Sequence, residues 1–199
     1  MTAALILAAG RSSRMGRPKA FLPHRQPGVT FLGHLIWSAS RGGADSIHVV
    51  GRVGDTALRQ AAAEAGAHYI ENPRPDGGQL SSILSGIDGI PDSDVRSILL
   101  LPVDIPLVSA EVIAAVLEAA GRSTKPIVRT SHRGRHGHPV LFKPAVFGEL
   151  RRVDPAIGAR AVVRADPARV LDVEVDEAGV LDDVDTPADY LRLFGRPLP

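Results

Sequence analysis

Apolar residues run without a charge from Leu5 to Ala9, the pattern of a strand buried on both faces of a parallel sheet. The run breaks at Gly10 into a polar loop that reaches Lys19, and Phe21-Leu22-Pro23 closes this opening unit. Thr30 stands where a helix cap belongs, and Phe31, Leu35, Ile36 and Ala39 follow near helical spacing through Ser40. A short β-rich run over 46–51 ends in Gly51. Asp55 then opens an alanine-rich helix over 56–65, which Gly66 stops. His68-Tyr69-Ile70 reads as a third strand.

The stretch from Glu71 to Gln79 is crowded with proline and glycine and reads as loop. A helix over 80–89, opened by Ser81 and Ser82, leads to a second uncharged strand over 97–101. Ser109 caps a helix over 110–120, with Glu111 in its first turn. Beyond Gly121 the pattern changes. Two strands, 126–129 and 138–142, flank a basic turn over 131–137; short helices follow at 144–150 and 158–164, then a strand at 170–175 and a helix at 187–194. Alternating strands and helices call for right-handed βαβ units. The expected fold is one α/β, Rossmann-like domain over 1–199: a mostly parallel twisted sheet flanked by helices, with a small antiparallel element in the C-terminal half.

Composition narrows the function classes. The 199 residues suffice for a sizeable core, and 44% hydrophobic with 23% charged residues is a globular mixture. A formal net charge of +1 gives no electrostatic footprint for nucleic acid. The absence of cysteine excludes disulfides, thiolate metal sites and a cysteine nucleophile, so any metal must rest on oxygen or histidine. No apolar run approaches the length of a membrane span, and no positive region precedes Leu5, which makes the cytoplasm the expected compartment.

Candidate chemistry gathers after the strands. The loop behind Ala9 carries Arg11, Arg14, Arg17 and Lys19 with two hydroxyls and two glycines. Small residues at the end of a buried strand let backbone N–H groups approach an anion, and the cations neutralise it, as a polyphosphate site requires. The spacing matches neither G-x-G-x-x-G nor G-x-x-x-x-G-K-[ST], which disfavours a redox Rossmann enzyme or a P-loop ATPase. Asp104 follows another buried strand, between Pro102 and Pro106. A carboxylate there suits Mg²⁺, although a tight-turn aspartate bonded to its own backbone would look the same. Asp182, Asp183 and Asp185 precede the last helix; Asp185 or Thr186 could cap it, and Asp183 or Asp185 could add a metal ligand. His138, beside the turn holding Arg133 and Arg135, is either a buried structural histidine or a substrate contact.

Taken together, these residues resemble a known family. Leu7-Ala8-Ala9-Gly10-x-Ser12-x-Arg14-Met15-Gly16-x-x-Lys19 is similar to the signature loop of nucleotidyltransferases of the nucleotide-diphospho-sugar transferase fold. Four further segments resemble the molybdenum cofactor cytidylyltransferase branch, in order: 78–86, 102–106, 137–142 and 183–187. Gly158-Ala159-Arg160-Ala161 is a weaker match.

The resemblance implies transfer of a nucleoside monophosphate from an NTP to an acceptor phosphate, with release of pyrophosphate. It assigns Ala8, Ala9 and Gly10 to the nucleotide through backbone atoms, Arg14 and Lys19 to the triphosphate, and Asp104 to Mg²⁺. Asp183 or Asp185 would support that metal, Gln79, Ser81 and Ser82 would approach base and sugar, and His138 would face the acceptor. Arg14, Lys19 and Asp104 form the implied catalytic set. Ala9 matches the cytidylyl-type loop, which favours CTP, and molybdopterin is the implied acceptor, with a molybdoenzyme or maturation factor as a conceivable partner. Residues 1–121 would form the nucleotide part and 122–199 the acceptor part. A sugar-phosphate or methylerythritol-type polyol-phosphate nucleotidyltransferase, and a non-catalytic nucleotide-binding maturation factor, are the competing readings.

Overall fold

A computed structural model describes residues 1–91 and 95–198. Its strands are β1 (Thr2–Leu7), β2 (Ser46–Arg52), β3 (His68–Asn72), β4 (Ser97–Pro102), β5 (Ile127–His132), β6 (Arg135–Phe142) and β7 (Val170–Glu174). Its α-helices are α1 (Phe31–Arg41), α2 (Thr56–Glu64), α3 (Gly78–Gly89), α4 (Ala110–Arg122), α5 (Phe147–Arg152), α6 (Arg160–Ala165) and α7 (Pro187–Phe194). Among the described residues, no helix is long and apolar enough to cross a membrane.

The seven strands form one sheet in the order β3-β2-β1-β4-β6-β5-β7. All neighbours pair in parallel except β6, which runs antiparallel to both β4 and β5. This is the expected mostly parallel sheet with one antiparallel element. Alternate residues of β1 feed different cores. Ala4 and Ile6 pack with α1, α2, α4 and α7, while Ala3, Leu5 and Leu7 pack with α3, α5 and α6. Leu5 and Ile6 are wholly buried, each worth about 1.5–3 kcal/mol relative to exposure. Gly86 of α3 lies so close to Leu5 that a Cβ there would collide with the leucine side chain.

From β1 the chain winds outward through β2 to β3, then α3 crosses the opposite face and delivers β4 to the other side of β1. The carboxyl ends of β1 and β4 therefore flank the point where the winding reverses, where open α/β sheets form their ligand crevice.

The expected caps form. Thr30, Asp55 and Ser109 accept hydrogen bonds from the backbones of Gly33, Leu58 and Val112, respectively. Boundaries shift by a few residues in several elements, and three of the differences bear on the site. β3 continues to Asn72, because it pairs with β2 up to Arg52. α3 starts at Gly78, so Ser81 and Ser82 lie within its first turns, not at its mouth. The basic stretch after Ser131 is mostly strand: β5 and β6 meet at Arg133 and Gly134, both at positive φ, as a tight two-residue hairpin demands.

Candidate active site

Just beyond β1, the backbone N–H of Ala8 bonds to Val50 O and that of Val103 to Leu7 O, so the first loop and the turn after β4 start side by side. The loop folds on itself through Ser12, whose carbonyl accepts from Met15 and Gly16, while its hydroxyl accepts from the Lys19 backbone at 3.2 Å. Ser12 and Gly16 sit at positive φ, and Met15 is buried as the loop's anchor. Gly10 serves no packing need: a Cβ there would meet no protein atom within 4 Å. That space is open to a ligand.

The turn after β4 is locked to the segment before α7. Val184 N–H donates to Asp104 O at 2.7 Å. Thr186 caps α7 in a capping box with Asp189, and Asp189 also accepts from the Asp185 backbone. The cap thus leaves the Asp185 side chain free to turn back toward the first loop. Its carboxylate lies 2.6 Å from Lys19 Nζ and 2.8 Å from an Arg14 guanidinium nitrogen. The same Nζ lies 3.2 Å from Asp104 Oδ2. The Lys19 ammonium, with Arg14 beside it, holds the Asp185 carboxyl below the usual carboxylate range.

Two cavities meet at Asp104. One, of about 850 Å³, is walled by Ala8, Gly10, Arg14, Lys19, Arg52 and Asp185 among others. The other, of about 640 Å³, is walled by Gln79, Arg135, His138, Arg160, Arg164 and Asp183 among others. Asp104 lines both.

Of the residues anticipated from sequence, Ala8, Gly10, Arg14, Lys19, Asp104 and Asp185 converge on the first cavity. Ala9 is buried beneath the loop. Asp183 faces the second cavity, away from the Lys19 cluster; Asp182 pairs with Arg192. Gln79 lines the second cavity, whereas the Ser81 and Ser82 hydroxyls are engaged by the Asn72 side-chain amide at 2.9 and 3.0 Å. His138 is half-buried in the wall, with a buried Nδ1 that lacks a hydrogen-bond partner. Burial, and to a lesser degree the Arg160 charge, push its pKa down to about 4, with Asp104 opposing, so the ring is neutral near pH 7.

Sequence reasoning gave no role to Arg52 or Arg164, and met Arg160 only within the weaker Gly158–Ala161 match. Arg160 and Arg164 are one helical turn apart on α6, a spacing visible in the sequence that carries meaning only once α6 is seen at the cavity. Among the described residues, Arg135, Arg160 and Arg164 have no carboxylate partner, whereas Arg129 is paired with Asp172. The second cavity is therefore a cationic pocket with charge to spare. Arg11, the first cation of the loop, instead grips Asp76 of the 75–77 turn at 3.0 and 2.7 Å, with Arg52 on the same carboxylate.

Comparison with known proteins bears on this arrangement. The model of the MobA-like NTP transferase domain matches residues 4–170.

The chain belongs to the MobA-like NTP transferase family.

Among curated relatives, it is 27% identical to the molybdenum cofactor cytidylyltransferase of Escherichia coli (strain K12), covering 96% of this chain and 95% of that protein. It is 26% identical to a probable molybdenum cofactor guanylyltransferase of Mycobacterium avium (strain 104), covering 96% and 94%. The crystal structure of Rv0371c from Mycobacterium tuberculosis H37Rv superposes with a TM-score of 0.83 at 27% identity over 98% of both chains. The same protein has been solved as a manganese complex, which superposes at 0.76. The protein is a nucleotidyltransferase of the MobA-like type, with the doubly wound fold of its relatives.

Proposed function

We propose that this MobA-like transferase moves CMP from CTP to the phosphate of molybdopterin or its molybdenum form, releasing pyrophosphate. The observation that carries this reading is the position of Asp104, shared by a cation-lined cavity on the first loop and a second cationic cavity beneath α6. A transferase needs two anionic substrates to meet at one point, and this carboxylate marks it.

In this reading residues 1–121 supply the nucleotide side. The backbone around Ala8, Ala9 and Gly10 lines the nucleotide, Lys19 and Arg14 take the triphosphate, and Gln79, anticipated at base and sugar with Ser81 and Ser82, extends the nucleotide side into the second cavity. Residues 122–199 supply the acceptor side: His138, Arg135, Arg160 and Arg164 face the acceptor and its phosphate. The likeness to the cytidylyltransferase and the Ala9 form of the loop support CTP over GTP.

The donor set fits a divalent metal of the Mg²⁺ kind. Asp104 and Asp185 are hard oxygen donors beside a phosphate loop, and Mg²⁺ is commonly held by one or two carboxylates plus substrate phosphates. Asp183, anticipated as a supporting ligand, faces the second cavity. When bound, the metal supplies charge neutralisation at the α-phosphate and the leaving pyrophosphate. The protein's own contribution is positional. An acceptor phosphate is already an anion, so no strong general base is required. Arg14 and Lys19 offset charge on the leaving group, and the α6 arginines hold the acceptor in line for attack. His138 stays neutral in the wall of the acceptor cavity.

The deciding experiment measures pyrophosphate release for each NTP against molybdopterin, its molybdenum form and candidate sugar and polyol phosphates. Release with CTP and molybdopterin, and little with other pairs, is expected. Release only with a sugar or polyol phosphate would reassign the acceptor. No release with any pair would favour a non-catalytic nucleotide-binding maturation factor.

A further inference from the structure

Lys19 is anticipated as a triphosphate ligand, yet its ammonium bridges the two carboxylates that would hold the metal. The bridge is built into the fold. Lys19 is only 8% exposed, its backbone is fixed by the Ser12 hydroxyl, and it opens the short 3-10 turn Lys19–Phe21. A long side chain with a buried stem and a fixed root has few places to put its charge. Here Nζ lies within 3.2 Å of Asp104 and 2.6 Å of Asp185, while Arg14 occupies the other Asp185 oxygen. Two carboxylates therefore face two cations, and the cluster is already neutral. A second observation points the same way. Among the described residues, no group of three or more carboxylate or imidazole side chains gathers where a metal could be held. Two carboxylates alone are a poor cage for a small divalent ion, which ordinarily completes its shell with substrate phosphates.

From this we infer that Lys19 is an exchangeable counter-ion that makes metal binding conditional on nucleotide. In the free protein it neutralises Asp104 and Asp185 and keeps the pair from repelling, at the cost of a weak site for a lone divalent cation. An arriving triphosphate offers Lys19 and Arg14 a more highly charged partner, the two cations move to it, and the carboxylates are released as the phosphate oxygens complete the cation's shell. Metal and nucleotide consequently enter as one unit, and each tightens the other by the same factor, as linkage requires. This inference rests on the proposed metal role of Asp104 and Asp185.

The test is a direct titration of the full-length protein with Mn²⁺, followed by the electron paramagnetic resonance signal of free Mn²⁺, which requires no turnover. Wild type is expected to bind Mn²⁺ weakly by itself and at least tenfold more tightly with saturating NTP. Lys19→Met, and separately Lys19→Gln, should tighten Mn²⁺ about tenfold or more without nucleotide, since each removes a positive charge from between the carboxylates. Adding Asp104→Asn to Lys19→Met should abolish that gain. Unchanged or weaker Mn²⁺ binding in both folded Lys19 variants, with Asp104→Asn still lowering Mn²⁺ affinity in the NTP complex, would overturn the counter-ion role and leave the metal reading standing. If Asp104→Asn leaves Mn²⁺ binding to the NTP complex unchanged, the metal reading itself fails. Should neither Lys19 variant fold, the Lys19 side-chain ε-¹³C resonance of labelled wild type provides the readout. It should shift on addition of NTP and stay in place with Mg²⁺ alone; a shift with Mg²⁺ alone and none with NTP would overturn the inference.

Discussion

The Val184 amide donates a 2.7 Å hydrogen bond to the carbonyl oxygen of Asp104. This bond ties the turn after β4 to the segment before α7, and so places Asp104 and Asp185 on either side of one ammonium. Because it uses main-chain atoms only, side-chain changes at Asp104 test chemistry separately from architecture.

Asp104→Ala should therefore leave the fold intact and remove turnover. Loss of a metal-holding carboxylate is expected to lower kcat by about 10²–10⁴, on the scale of several kcal/mol of transition-state stabilisation. Pyrophosphate release measured beside circular dichroism and a melting curve checks both halves. A wild-type rate in a folded variant would end the assignment.

In the proposed reading the α6 arginines serve the acceptor side. Arg160→Ala should raise the KM for the phosphorylated acceptor about tenfold, the scale of one lost charge-assisted hydrogen bond, and leave the KM for NTP unchanged. Steady-state kinetics with each substrate varied in turn separates the two. A rise in the NTP KM alone would move Arg160 to the other cavity.

Arg11 and Asp76 connect the first loop to the turn that opens α3. The Arg11 guanidinium, helped by Arg52, pulls the Asp76 carboxyl down to about 2, so the pair stays ionised across any working pH. Both side chains are exposed, and exposed pairs are weak. Asp76→Arg is accordingly expected to raise the NTP KM only about threefold with kcat nearly unchanged, and Arg11→Asp combined with it should recover much of the loss. An additive double variant would argue that the pair does not hold the first loop to the turn that opens α3.

Buried imidazoles, His24 and His48 beside His138, predict how stability responds to acid. His24 stacks on His34 with ring centroids 3.9 Å apart, and neither His24 nitrogen has a hydrogen-bond partner; burial, then the charges of His34 and Arg25, push it from the ordinary 6.5 down to about 4. Burial, with a smaller contribution from His68, does the same to His48. Above pH 6.5 each ring is neutral whether folded or unfolded and has no effect. As pH falls below that value the unfolded chain takes up protons that the folded protein refuses, so stability declines by up to ~1.4 kcal/mol per pH unit per ring until about pH 4. Urea unfolding from pH 7.5 to 4.5 should show this slope, and His24→Phe, which keeps the stack without the titration, should flatten it. An unchanged slope in His24→Phe would remove His24 from the account.

Much of the architecture is written locally. The uncharged runs at β1 and β4, the caps at Thr30, Asp55 and Ser109, and the breaks at glycine and proline are short-range signals, because burial on both faces of a strand and satisfaction of a helix end are decided by neighbours in sequence. The first loop and the Asp104 turn could likewise be read as halves of a phosphate and metal site from residue type and position after a strand. The β6 strand was legible only in its apolar half. Its first residues are polar because they line the second cavity, so they lack the apolar pattern that marks a strand and read as turn.

What the tertiary structure decided are relationships across distance. Lys19 lies 85 residues from Asp104 and 166 from Asp185, and no local pattern states that one ammonium sits between them. Nor does the sequence say that Asp183 and Asp185, two residues apart, face different cavities, or that Thr186 takes the cap and leaves Asp185 to the site. Residue types determined which chemistry was available here; the reversal of winding between β1 and β4 decided which residues could touch.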